Sequence, residues 1–200
     1  MPVGTVPPPR RQPVSYEDRL ARRALADIDL VVVHCTELPD FASARTYAER
    51  VVYAGSGTGN CGHYYIGRDG TTFEYVSPQW VAHHCVGVNA RAIGIELDHP
   101  GRWPDWLDAR HQRITLPYPE PQIAALLHLL TAHLRPLLPA LRWIAGHEEL
   151  DQRRVPASAD PALEVHRKRD PGESFPWPVV ETASAGWLAH ALPPDVQPLI

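Results

Sequence analysis

The chain has 200 residues, 44 % of them hydrophobic and 21 % charged, which suits one globular domain able to bury a core. Its formal net charge is −4, so a broad basic surface is excluded and nucleic acid is not expected as a partner, because phosphate binding needs clustered Lys and Arg. No run approaches the roughly 20 apolar residues that span a bilayer, and no secretory pattern opens the chain, so the expectation is a cytoplasmic protein with no membrane partner.

Residues 1–14 are rich in proline (Pro2, Pro7, Pro8, Pro9 and Pro13) and are expected to form a flexible arm ahead of a single domain over 15–200. Residues 16–26 are charged and permissive of helix. Residues 28–35 (IDLVVVHC) make the clearest strand: short, β-branched and apolar on both faces, hence central in a sheet. Its polar end at His34 then lies at the sheet edge, where sites are commonly built. Residues 43–53 carry apolar side chains at helical spacing. Residues 55–62 (GSGTGNCG) are glycine-rich but lack the Lys-Ser/Thr pair of a phosphate loop.

Residues 63–67 and 71–76 flank Arg68-Asp69-Gly70. Asp-Gly between two short aromatic and β-branched runs signals a hairpin. Residues 92–97 (AIGIEL) read as another strand. Residues 119–138 read as a long apolar helix opened by its prolines, with Pro136 placed to end it early. Residues 141–145 form a short strand running into Gly146-His147, and the Trp- and Pro-rich tail from Gly172 is expected to wrap the surface. Strands alternating with helices, plus one antiparallel hairpin, predict an α/β single domain with a central mixed β-sheet flanked by helices.

The three cysteines, Cys35, Cys61 and Cys85, include no C-x-x-C pair, which argues against a disulfide framework and a structural zinc finger. They read as small buried residues. Cys35 follows His34 in a strand and should face the opposite side of the sheet.

There are 11 histidines, and most are expected to be ordinary surface or core residues. Two end strands: His34 and His147. Asp170 lies in a polar loop, K-R-D-P-G. Two imidazoles and one carboxylate suit Zn²⁺ with a fourth position open to water, the composition of a catalytic site. Water held there acidifies to a pKa of about 7 and becomes a nucleophile at neutral pH. On composition and spacing alone, the better reading is three unrelated loop residues. They are far apart, and His147-Glu148-Glu149-Leu150-Asp151 lacks the second His of H-E-x-x-H.

Five segments change that reading: V-V-V-H-C-T, G-H-Y-Y-I-G-R-D-G, N-A-R-A-I-G-I-E-L, I-A-G-H-E-E-L and K-R-D-P-G, in this order. Together they resemble the type 2 N-acetylmuramoyl-L-alanine amidases, a family that includes peptidoglycan recognition proteins and phage lysozyme-type amidases. The resemblance runs over residues 28–178. It implies that His34, His147 and Asp170 bind zinc, and that the partner is peptidoglycan or its muropeptide fragments. Phage-type members carry a Tyr immediately before the His of the second motif, where this chain has Gly62. It has instead a carboxylate, Glu96, in an apolar strand that would raise its pKa toward a useful value. The resemblance makes Glu96 the proton carrier and Lys168, two residues before Asp170, the support of the oxyanion. His84 and Asn89 match positions near the substrate groove, and His63 a position beside the metal.

The Asp ligand and the Glu resemble the bacterial cytoplasmic branch that trims 1,6-anhydro-muropeptides. Two rival readings are a peptidoglycan sensor without catalysis and an endolysin-type amidase acting on intact wall. The long segments 98–119 and 149–167 have no assigned role, although Trp103 and Trp106 in the first admit two readings, a cover for a sugar or ordinary aromatic packing. The oligomeric state is left open.

Overall fold

The computed structural model describes residues 7–200. In chain order its elements are β1 (Arg10–Arg11), β2 (Leu30–Cys35), α1 (Phe41–Ala48), β3 (Tyr64–Ile66), β4 (Thr72–Glu74), β5 (Ala92–Leu97), α2 (Glu120–His128), a π-helical stretch (Leu129–Leu134), α3 (Arg135–Leu137), β6 (Trp143–Gly146), α4 (His147–Leu150), β7 (Arg154–Pro156), β8 (Glu164–His166), α5 (Trp177–Ser184) and β9 (Ala189–His190). Every residue of β2 is buried. A strand that is apolar on both faces needs sheet neighbours on both sides and a layer above and below. It has β5 and β6 as parallel neighbours, with His34 opposite Glu96 and Val33 opposite Gly146. The full sheet order is β1-β4-β3-β5-β2-β6-β9. Only β3 and β4 pair antiparallel among the described strands of this sheet, so it is mixed, as the Asp-Gly signal predicted. In that hairpin Gly70 takes φ +85, and Asp69 Oδ1 accepts from Thr71 N at 2.9 Å.

Alternation along β2 assigns the two faces. Val31, Val33 and Cys35 pack with Ile93, Ile95, Leu126, Leu129 and Leu130, so this face meets the long helix. Leu30 and Val32 pack with Cys85, Val88, Ala145 and Leu150 on the other face. His34 belongs to that second face, and Cys35 lies in the helix-side core, as the strand reading required. Ile95 and Val33 are fully buried, and truncating such a residue to Ala costs about 2–5 kcal/mol. Among the described residues no helix is long and apolar enough to cross a membrane.

Four local expectations are corrected. Residues 1–6 of the expected arm lie outside the described residues, but residues 10–14 lie along the sheet edge. β1 lies parallel to β4, Gln12 N and Val14 N donate to Glu74 O and Tyr75 O at 2.9 and 3.0 Å, and Val14 is buried. Pro7, Pro8 and Pro9 precede this stretch and Pro13 falls between the donors Gln12 and Val14, so the N–H groups that ladder onto the sheet edge are kept. Helix α1 begins two residues before the expected start and ends five earlier, because Asp40 caps it by accepting from Ser43 N at 2.7 Å. Residues 16–26 hold two short 3₁₀ turns. The long helix continues past Pro136 to Leu137. Its register widens to π over Leu129–Leu134, just where a regular ladder would meet a ring with no N–H.

Candidate metal centre and groove

The parallel strands β2, β5 and β6 end at the same sheet edge, the usual place for a site in α/β sheets. His34 is the penultimate residue of β2. β6 ends at Gly146, and His147 opens α4 immediately after it. Gly146 permits the third arm to approach: a Cβ there would lie 2.8 Å from Pro171 Cδ. Glu148 N donates to Asp170 O at 2.9 Å, which fixes the Asp170 backbone beside α4.

The sequence-distant trio is thereby brought together. His34 Nδ1 lies 3.0 Å and His147 Nδ1 3.1 Å from the same Asp170 oxygen, Oδ2. The donor atoms of all three residues lie within 4.8 Å of one another, and all three residues are buried. Burial, and then the neighbouring His147, push the His34 pKa down to about 4, so its imidazole is neutral and offers a lone pair. Burial works to raise the Asp170 carboxyl, but His147, Lys168 and the two imidazole hydrogen bonds hold it well below the usual carboxylate range. Oδ2 is crowded by two ring nitrogens, whereas the buried Oδ1 has no hydrogen-bond partner. Two imidazole nitrogens and an ionised carboxylate converging with one carboxylate oxygen orphaned fit a divalent cation of the zinc type.

Glu96 is the penultimate residue of β5 and pairs with His34. Burial raises its pKa to about 8, with Asp170 adding and Lys168 opposing. A Cβ at Gly62 would lie 2.9 Å from Glu96 Cγ, so glycine at this position leaves room for the carboxylate. Lys168 lines the same groove. Burial works against its charge, but the Asp170 and Glu37 carboxylates raise its pKa.

The other three expected site residues form the wall behind His34. His84 Nδ1 lies 3.0 Å from His34 Nε2, and its own Nε2 is buried without a partner. Asn89 Oδ1 accepts from His84 N and Cys85 N at 3.0 and 2.7 Å. Both residues also line the groove, yet their closest engagements are with the protein. His63 is one ring further back, 5.6 Å from His84 between centroids. Its Nδ1 accepts from Gly94 N at 3.0 Å, and its Nε2 lies 2.7 Å from Arg23 Nη2 and 3.1 Å from Trp80 O.

The groove has a volume of about 430 Å³. Tyr47, Tyr53 and Trp106 stand half-exposed at its lining. Sequence reasoning missed Tyr47 and Tyr53, and it missed the buried Glu37–Arg102 ion pair, in which Arg102 Nε lies 2.7 Å from Glu37 Oε1. The latter pair spans two loops, and no local pattern links its members.

A family model described as N-acetylmuramoyl-L-alanine amidase matches residues 24–173. No curated protein sequence matches the chain. Among solved structures the fold is similar to the N-acetylmuramoyl-L-alanine amidase LysC from Clostridium intestinale, with TM-score 0.60 and 19 % identity over 88 % of this chain and 96 % of that one. It is also similar to the amidase AmiD from E. coli in complex with anhydro-N-acetylmuramic acid-L-Ala-D-gamma-Glu-L-Lys, with TM-score 0.59 and 22 % identity over 88 % of this chain and 63 % of that one.

Proposed function

Because the chain belongs to the N-acetylmuramoyl-L-alanine amidase family, and so is a peptidoglycan amidase, we propose that it uses zinc held by His34, His147 and Asp170 to hydrolyse the lactyl–L-alanine amide of soluble muropeptides in the cytoplasm. The observation that carries this reading is the convergence of three buried donors on one groove that also holds Glu96 and Lys168. The cation, when bound, would supply Lewis acidity, acidifying water and polarising the amide carbonyl.

The chain's own groups supply the rest. Glu96, in a desolvated strand end, takes a proton from the attacking water and returns it to the leaving nitrogen, a role commonly worth 10²–10⁴ in rate. Carbon–nitrogen cleavage then gives a lactyl carboxylate and the free amine of L-alanine. The Lys168 ammonium offsets charge that develops on the carbonyl oxygen, an effect of about 10²–10³. His84 holds His34 in one tautomer. The rings of Tyr47, Tyr53 and Trp106 offer the amphipathic faces against which a sugar packs.

The direct test is zinc content followed by turnover of defined muropeptides. Zinc-loaded protein that leaves the muramoyl–alanine bond intact in several fragments would remove the proposal. Glu96→Gln should abolish cleavage and keep fragment binding. If the parent protein binds fragments without cutting any, the sensor reading takes over. Rates on anhydro-muropeptides and on intact sacculi separate the recycling role from the lytic one. The net charge of −4 favours small fragments over an anionic wall.

A further inference from the structure

We propose that Arg102 is a positioning residue that sets Lys168 against the reacting carbonyl. This rests on the proposed role of Lys168 in the amidase reaction. Lys168 lines the groove, and among the described residues its ammonium feels the Asp170, Glu37 and Glu96 carboxylates without a hydrogen bond to any of them. Its position therefore depends on how its backbone is held.

Arg102 supplies that hold. Its guanidinium grips the carboxylate of Glu37 through Nε and Nη2 at 2.7 and 2.9 Å. Two further donors reach main chain just before Lys168, Nη1 to His166 O at 3.0 Å and Nη2 to Arg167 O at 3.2 Å, and Nη1 also donates to Gln112 Oε1 at 3.3 Å. The Arg102 and Glu37 side chains are 1 % and 8 % exposed, so these bonds are shielded from water. Glu37 lies three residues beyond His34 and adopts φ +49, a conformation uncommon outside glycine. Its carbonyl accepts from Trp106 Nε1 at 2.8 Å. Gly101 allows the close approach, since a Cβ there would lie 2.5 Å from Glu37 Cγ.

One cation thus ties together the segment after β2, the long loop after β5 and the segment leading to Asp170. On its far side Lys168 meets the Glu148–Asp170 main-chain bond described above, so it is clamped between two backbone anchors. A lysine at position 102 would supply the charge but not the planar fork that reaches a carboxylate and two carbonyls at once.

The test is a double-mutant cycle on zinc-loaded protein: Arg102→Gln and Arg102→Lys, each in the parent and in Lys168→Ala. In the parent, both changes should lower kcat by about 10-fold or more, with KM within about 2-fold and zinc content unchanged; in Lys168→Ala they should change kcat by less than about 2-fold. Should either single variant fail to fold by thermal melting, the paired Glu37→Gln/Arg102→Gln variant, which leaves no unpaired buried charge, is read in the same cycle. Losses that multiply with that of Lys168→Ala, or full activity in Arg102→Lys, overturn the inference. A Lys168→Ala protein as fast as the parent overturns the role of Lys168 itself, and this inference with it.

Discussion

His34 is gripped at both ring nitrogens: Nδ1 lies 3.0 Å from Asp170 Oδ2, and Nε2 lies 3.0 Å from His84 Nδ1. If Nδ1 is the metal-facing atom, Nε2 carries the proton and donates to His84, which fixes the tautomer a metal requires. His84 in turn sits directly on Gly94. A Cβ at Gly94 would lie 2.6 Å from His84 Cγ, and the ring has little freedom to retreat because Asn89 pins its backbone. Gly94→Ala should therefore displace His84 and weaken zinc binding about 10-fold or more, the usual scale for losing a partner behind a ligand. Competition with a chromogenic chelator reads this directly; unchanged affinity would show that His84 does not orient His34.

Glu96 gives a prediction independent of turnover. Burial raises its carboxyl from the ordinary 4.5 to about 8. Between those values the metal-free folded protein keeps a proton that the unfolded chain releases, so folding stability falls as pH rises. The contribution is complete below about pH 4.5 and lost as pH passes through about 8. Glu96→Gln removes the titration and keeps the shape. Its melting temperature without metal should exceed that of the parent at about pH 8, with the gap closing toward about pH 5. A gap independent of pH rules out a proton-retaining Glu96.

Much of this arrangement was legible in the sequence, and the limits are physical. The run of Val31–Val33 read as a central strand because both its faces are apolar, and Asp69-Gly70 read as a turn because only certain residues tolerate its backbone. His34, His147 and Asp170 could be grouped only through the order of five motifs, since residues brought together from three separate elements leave no local spacing. The order of Arg10–Arg11 was hidden because edge pairing depends on a partner strand some sixty residues away. Arg102 and Glu37 escaped for the same reason. The wall-forming roles of His84 and Asn89 depend on loop geometry that only tertiary packing specifies.

Trp106 and Trp103 allow the aromatic lining of the groove to be probed. Trp106 lines the groove, 40 % exposed, with its Nε1 tied to Glu37 O. Trp103 is 46 % exposed and is not among the groove-lining residues. An aromatic face that packs on a sugar contributes to ground-state and transition-state binding alike, so Trp106→Phe, which removes the indole's reach, should raise KM several-fold with kcat nearly unchanged. Trp103→Phe should leave both constants as they are. Equal effects from the two substitutions would argue that the loop, and not the ring of Trp106, meets the substrate.

His190 offers a second pH test, at the base of the same site. Its Nε2 lies 3.0 Å from Glu149 Oε2 and its Nδ1 2.8 Å from Glu181 Oε1, with the ring stacked on Trp177 at 3.7 Å between centroids. With a carboxylate at each nitrogen the ring is held as a cation. The hydrogen bond to Glu149 raises its pKa most, against burial, and Glu181 adds to the rise. The sign follows: the folded state retains a proton that an unfolded His, at about 6.5, gives up, so the stabilisation is complete below that value and lost as pH rises through the elevated one. Glu149 Oε2 also accepts from Gly146 N at 2.6 Å, one residue before His147, so the clamp steadies the strand end that presents His147. His190→Gln should lower the melting temperature clearly at about pH 5.5 and much less at about pH 9, with the low-pH effect shrinking in high salt because the group is partly exposed. A loss of equal size at both pH values would mean that His190 contributes packing on Trp177 and no charge.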